Sequence, residues 1–248
     1  GEVAKSSEME VGGGENFASK TAMGRGHALK LPAIDVSEVG AGGGSLVSVD
    51  RYGRLLVGPK SAGAVPGPVC YDLGGTQVTL TDALVVLGYL NPAYLVGGEM
   101  LISLGKASEA MCRQVAEPLG KGLVEAAHGI IQVATINMMA AVRSVSTNRG
   151  RDPRDFDLFA FGGTGPVLAA DLARQLGMGR VVVPMHPGLF SAFGLLHSKN
   201  EYDYVQTFLR SAGKIDSTEL EAAFQKIEDR ACKTLTADGY CLNEIATR

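Results

Sequence analysis

The sequence predicts an α/β protein, and three observations carry that prediction. Short apolar runs ending in glycine-rich loops alternate with stretches whose apolar residues recur every three or four positions. Glycine supplies 33 of the 248 residues, about 13% against a usual value near 7%. It gathers in short loops without a repeat, which suggests backbone shaped around a ligand. Hydrophobic residues make up 46% of the chain, enough for a packed core and too many for wholesale disorder.

The elements follow in order. Residues 1–30 are weakly patterned around Gly12-Gly13-Gly14 and read as a surface extension. Leu31 to Val39 reads as a strand running into Gly40-Ala41-Gly42-Gly43-Gly44-Ser45. Leu46–Val49 and Arg54–Val57, joined through Asp50-Arg51-Tyr52-Gly53, form a hairpin pattern. Residues 58–79, rich in proline and glycine, read as loop. From Lys106 to Leu119, Ala107, Ala110, Met111 and Val115 share a helical face. The strongest helix spans 122–148, where Leu123, Ala127, Ile130, Ala134, Met138, Ala141 and Val145 form one stripe.

Leu158–Phe161 has the all-apolar character of a buried strand and leads through Gly162-Gly163-Thr164-Gly165-Pro166 into a helix ending at Leu176. Val181–Val183 is a second such strand, Pro187 to Gly194 opens a short helix, and Ser217 to Leu235 is a last amphipathic one. Residues 35–205 are therefore expected to form one lobe. A single sheet would carry the four strands from Leu46 to Val183, with helix 122–148 packed on its face.

Charge and cysteine content narrow the function classes. Lys+Arg 23 against Asp+Glu 26 leaves a net charge of −3, which argues against nucleic-acid and anionic-membrane binding. No apolar run approaches the roughly 20 residues that span a bilayer, and Gly1-Glu2-Val3-Ala4-Lys5 does not open a signal peptide. Cys70, Cys112, Cys232 and Cys241 are widely spaced with no CxxC pair, so a reduced, cytoplasmic setting is expected.

Two glycine loops follow strands. Gly40 to Ser45 lets backbone N–H groups converge on an anion, with the Ser45 hydroxyl as an added donor. Gly162 to Gly165 opens a helix, where orphan N–H groups and the dipole favour anions. Neither is a Walker A or a dinucleotide fingerprint. Either alone is as readily structural, but the pair in one chain points to a nucleotide. Other candidates keep two readings. Asp82 caps a helix or meets metal or substrate. Cys70 is a buried small hydrophobe or a substrate-loop residue. Arg149, Arg151 and Arg154 form a phosphate clamp or, given the interleaved Asp152, Asp155 and Asp157, a solvated salt-bridged turn. No metal-ligand set is identified.

Gly40–Ser45, Gly58-Pro59-Lys60-Ser61-Ala62-Gly63, Pro66-Gly67-Pro68-Val69-Cys70-Tyr71, Thr81-Asp82-Ala83 and Leu87-Gly88 occur in that order. Asn137-Met138, Arg149–Phe156, Phe161–Pro166 and Pro187-Gly188 follow. This series resembles the hydantoinase A/oxoprolinase family over residues 31–209. Its members include ATP-dependent N-methylhydantoinase subunits, oxoprolinase, and acetone and acetophenone carboxylase subunits.

The resemblance implies one lobe of an actin-like (sugar kinase/actin type) ATPase fold, a mixed sheet with flanking helices. It implies ATP and Mg²⁺ as cofactors. Gly42, Gly43, Gly44 and Ser45 are similar to a second phosphate loop, and Gly162, Gly163 and Thr164 to the adenosine-contacting loop. The chain then reads as an internal fragment, with 1–34 an extension from a preceding lobe and 206–248 the start of a C-terminal region. Two departures stand out. Where actin-like ATPases place an Asp at the loop head this chain has Gly40, leaving Asp35 or Glu38 as candidate catalytic carboxylates beside Asp82. Many relatives have His-Thr where Ser37-Glu38 stand.

The implied reaction is ATP-dependent hydrolysis of a cyclic amide, the carbonyl being phosphorylated before ring opening. The partner would be a hydantoinase B-type subunit or domain within an oligomer. The alternatives are a ketone carboxylase subunit and an inactive scaffold of the same fold.

Overall fold

The computed structural model describes residues 36–37, 39–198, 200–211 and 215–247, and the backbone of four short strands before them. The chain divides into two compact units, 1–196 and 197–248.

Within the first unit, the N-terminal stretch read as an unpatterned extension contains two antiparallel pairs. Strand β1 (Lys5–Ser6) pairs with β4 (Ala33–Ile34), and β2 (Met9–Val11) with β3 (His27–Leu29). The hairpin forms as predicted from β5 (Ser45–Val49) and β6 (Leu55–Ser61), with Val47 opposite Val57 and both buried. Its turn is held by Asp50, whose carboxylate accepts from Tyr52 N (2.8 Å), Arg54 N (2.9 Å) and Arg54 Nε (2.7 Å). Those bonds, the Arg54 N–H first, lower the Asp50 pKa.

Helix α1 (Leu80–Val86) is almost wholly buried. Helix α2 (Leu104–Met111) starts at Ser103, which accepts from Lys106 N at 3.2 Å, and continues through a π-turn at Cys112–Ala116. Its predicted face holds, since Ala107, Ala110, Met111 and Val115 are all buried. The π-turn brings Gln114 onto the preceding loop. Its amide accepts from Val78 N (3.2 Å) and donates to Thr76 O (2.7 Å), standing in for a strand neighbour.

Helix α3 (Leu123–Val145) runs 23 residues, ~35 Å at 1.5 Å per residue. It buries Ala127, Ile130 and Ala134 of the predicted stripe, together with Ala126 and Ile131. A fully buried isoleucine contributes on the order of 1.5–3 kcal/mol, so this stripe anchors the unit. Asn137 on the same helix donates to Val57 O at 3.1 Å and ties it to β6. By length and composition Leu123–Arg149 is apolar enough to cross a membrane, with mean hydropathy 1.2, which corrects the expectation of no such segment. Here it is the central helix of the core.

Strands β7 (Leu158–Phe159) and β8 (Val181–Val182) pair in parallel, flanking helix α4 (Gly165–Leu176). The single four-stranded sheet predicted from sequence is not formed. The hairpin and the β7–β8 pair are separate two-stranded sheets. The reason lies in the helices, because α3 packs on β6 and on α4, while α4 packs on β8. The apolar stripe that was to cover one sheet is wedged between two.

The β7–β8 run is also less buried than its composition implied. Phe159 is 44% exposed and Phe161 46%, and their rings meet Phe190 of helix α5 (Phe190–His197) at 5.1 and 5.3 Å between centroids.

In the second unit, helix α6 (Ser217–Ala237) is capped by Asp216, which accepts from Thr218 N at 3.0 Å. Leu220, Phe224 and Ile227 recur along it at the spacing of an amphipathic helix, but no residue of the helix is buried. Tyr202 donates to Asp238 at 2.5 Å, Arg210 pairs with Glu219, and the Arg230 guanidinium lies 5.3 Å from the Tyr204 ring.

Candidate functional site

The first glycine loop is locked from within. Ser45 is buried. Its hydroxyl accepts from Gly42 N at 2.9 Å and donates to Gly40 O at 3.5 Å, while its N–H donates to Gly42 O at 2.9 Å. In this geometry the hydroxyl expected to donate to a bound anion is engaged within the loop. A buried hydroxyl is satisfied by the loop itself. The loop is also tied outward, with Gly43 O accepting from Thr81 N (2.9 Å) and Gly44 O from Ala62 N (2.8 Å). The Gly43 and Gly44 N–H groups donate to no acceptor among the described residues.

Gly40 itself is explained by packing. A Cβ there would lie 2.8 Å from Pro59 Cβ and 3.1 Å from Pro59 Cα, and one on Gly58 would lie 2.3 Å from Gly40 O. Gly58 also has φ +70°, so two glycines let the loop head and the hairpin backbone touch. An Asp at the loop head has no room in this chain.

Asp82 is the node beneath the loop. It is fully buried, and its carboxylate accepts from Cys70 N (2.7 Å), Thr79 N (2.8 Å), Thr79 Oγ1 (2.8 Å) and Val69 N (3.3 Å). With Thr79 it forms the capping box of α1. Of its two readings, this geometry is that of the cap; its bonds from Thr79 close the start of α1, and those from Val69 N and Cys70 N hold the Val69–Tyr71 turn against it. Asp35 and Glu38 lie outside the described residues. Ser37, where many relatives of the resembled family have His, meets the Ser144 hydroxyl of α3 at 2.7 Å.

The second loop is open. Gly162 has φ +86° and donates to Pro187 O at 2.7 Å. Thr164, the N-cap of α4, makes no side-chain capping bond. A Cβ on Gly163 or Gly165 would meet no protein atom within 4 Å.

The structure brings the two loops together. A Cβ on Gly43 would lie 2.7 Å from Thr81 Oγ1 and 2.9 Å from Thr164 Oγ1, so the apex of the first loop sits between hydroxyls at the starts of α1 and α4. The surrounding cleft has a volume near 380 Å³. Gly43, Gly44, Gly163 and Thr164 line it, whereas Gly42, Ser45 and Gly162 are not among its lining residues. Tyr71, Leu90 and Leu95, which share one packing cluster, line it as well, as does Thr81.

Thr81 and Tyr71 were missed as lining residues in the sequence. The Thr81-Asp82 pair was read through its carboxylate, although a hydroxyl at a helix start beside a capping Asp was the available signal. Burial is the main cause raising the Tyr71 pKa, with the Cys70 and Asp82 charges adding to it and a hydrogen bond from Thr81 opposing it.

The remaining candidates fall elsewhere. Cys70 is fully buried, and desolvation followed by the Asp82 charge pushes its thiol far above the ordinary range, so it packs as a small hydrophobe. Among the three arginines, Arg154 pairs with Asp152 at 2.6 Å on the surface, as the salt-bridged turn requires. The Asp152 carboxyl falls to about 2 through its hydrogen bonds to Arg154.

Three comparisons bear on this site. The family model described as hydantoinase/oxoprolinase matches residues 1–204, so the family pattern includes the N-terminal strand pairs and begins earlier than the resemblance at residue 31. The chain is 39% identical over 234 residues to caprolactamase subunit alpha of Pseudomonas jessenii, covering 94% of this chain and 34% of that one. It is 50% identical over 167 residues to the acetophenone carboxylase gamma subunit of Aromatoleum aromaticum, covering 67% and 22%.

Among solved structures, nucleotide-free acetone carboxylase superposes with a TM-score of 0.76 at 32% identity, over 89% of this chain and 32% of that one. The ATP-dependent caprolactamase of Pseudomonas jessenii gives 0.70 at 40% identity, over 86% and 31%. The chain thus spans about a third or less of the length of each of these relatives. The chain belongs to the hydantoinase/oxoprolinase family.

Proposed function

We propose that this chain supplies one wall of the nucleotide site of an ATP-dependent enzyme built on an actin-like lobe. That enzyme would activate the carbonyl of a cyclic amide by phosphorylation before the ring is opened. The observation that carries this reading is the meeting of the two glycine loops around Gly43. The family and the ATP-dependent caprolactamase and acetone carboxylase relatives support it.

The described residues fit a nucleotide. The Gly43 and Gly44 N–H groups are uncommitted, and a Cβ on Gly163 would meet no protein atom. ATP, when bound, supplies the phosphoryl group. The chain's own part is positional. Gly43, Gly44, Gly163 and Thr164, the N-cap of α4, line one cleft; their backbone N–H groups and the Thr164 hydroxyl would serve as donors to a phosphate, and the Thr81 N–H holds the first loop in place.

Mg²⁺ is a different case. No carboxylate lines the cleft among the described residues, and Asp82 is committed to four internal donors, so the described residues of this cleft do not fit a Mg²⁺ site. A hydantoinase B-type partner belongs to the same proposal, supported by relatives named as subunits. The second reading, a ketone carboxylase subunit, is favoured by the 50% identity to the acetophenone carboxylase gamma subunit.

The test is phosphate release by the full-length protein and its partner, with ε-caprolactam, hydantoin and 5-oxoproline in one series and acetophenone with bicarbonate in another. Stimulation by a lactam supports the first reading and stimulation by the ketone the second. No nucleotide binding at all would contradict both.

A further inference from the structure

We infer that the wall formed by Tyr71, Leu90 and Leu95 is a substrate subsite, and that it selects a neutral, apolar carbonyl compound over an anionic one. The inference rests on reading the glycine side of the same cleft as the nucleotide site. These three side chains pack on the buried cluster of Cys70, Val85, Ile102 and Ala107, so the wall is preformed instead of assembled by a ligand. Leu84, almost wholly buried, also lines the cleft.

Chemistry then chooses the occupant. No charged side chain lines the cleft among the described residues. A substrate carboxylate would enter without a cation, and an unpaired charge out of water is costly. A neutral ring loses only apolar hydration. The polar feature of this wall is the Tyr71 phenol, which offers one donor edge to a carbonyl oxygen. The volume near 380 Å³ is at the small end of the roughly 300–1,000 Å³ of small-molecule sites, which suits a single ring beside a phosphate group.

The test uses the full-length protein that carries this sequence, with a non-hydrolysable ATP analogue present. Affinities are measured for ε-caprolactam and 5-oxoproline, and separately for the analogue, in wild type, Leu95→Arg and Leu95→Met. Leu95 is half-buried at the cleft, so an arginine there can keep its head in water.

Wild type should prefer the lactam by about tenfold or more, and Leu95→Arg should erase that preference while leaving the analogue within about twofold. Leu95→Met, which keeps the wall apolar, should retain the preference for the lactam over 5-oxoproline. If Leu95→Arg fails to fold, Leu90→Gln must weaken the lactam alone. Lactam binding with no analogue binding would sink the nucleotide reading and leave the subsite standing. A parallel loss of analogue, an unchanged lactam affinity, a wild-type preference for 5-oxoproline, or no binding of either probe overturns the inference.

Discussion

The two glycine loops solve opposite problems with the same residue. In the first, glycine lets pieces of backbone touch each other. Gly40 abuts Pro59, Gly58 abuts the Gly40 carbonyl, and Ser45 closes the turn from inside. In the second, Gly163 and Gly165 border open space, and what lacks a side chain there is the cleft. A glycine run is thus not one signal. It is read by asking what a Cβ would strike, which separates glycines that hold a loop from glycines that leave room for a ligand.

The comparison can be broken most severely from below. Asp82→Ala should cost about 3–5 kcal/mol, because three backbone N–H groups and the Thr79 hydroxyl lose a buried acceptor. A melting temperature close to wild type would mean the node does not hold the loop. Gly58→Ala comes next, at about 2–4 kcal/mol, since its Cβ would strike Gly40 O at 2.3 Å with φ at +70°. Circular dichroism melts of the two variants rank them.

Gly43→Ala sharpens the comparison, because it sits where the loops meet. It should cost about 1 kcal/mol, as two threonine hydroxyls must give way, and it should weaken nucleotide binding. Gly163→Val should leave stability within about 0.5 kcal/mol and still weaken nucleotide binding, since its side chain would enter the cleft. Calorimetric titration with an ATP analogue separates these effects, and equal affinity in wild type and Gly163→Val would remove the second loop from the site.

The smallest effect belongs to the surface turn. The Asp152 carboxyl is depressed to about 2 in the folded state, so its stabilising contribution is present above the unfolded carboxylate value, about 3.9. It is lost as pH falls through the folded value. Asp152→Asn should therefore leave the melting temperature near pH 7 almost unchanged and flatten the acid limb below pH 4 slightly. A large loss at neutral pH would show that the pair does more than cap a turn.

What was legible in the sequence was whatever a single element decides. The hairpin, the faces of α2 and α3, and the strand-to-helix placement of Gly162–Gly165 follow from period and punctuation within a dozen residues. The two glycine loops were expected on one side of a sheet and do meet, although the strand expected to run from Leu31 to Val39 into the first loop is limited to Ala33–Ile34 among the assigned strands. Relations between distant segments were not legible. Gly40 reads as a missing acid until Pro59, nineteen positions on, is seen against it. Ser45 reads as a donor until Gly40 and Gly42 are seen to use its hydroxyl. One apolar stripe on α3 was consistent with a single sheet, and only the position of α4 shows it lying between two.

The central claim is that both loops contact one nucleotide, and hydrogen exchange tests it most directly. In the full-length protein, peptides covering 40–46 and 161–167 should gain protection together as an ATP analogue is added, with one shared concentration dependence. Protection confined to one loop, or two distinct midpoints, would contradict a single shared site.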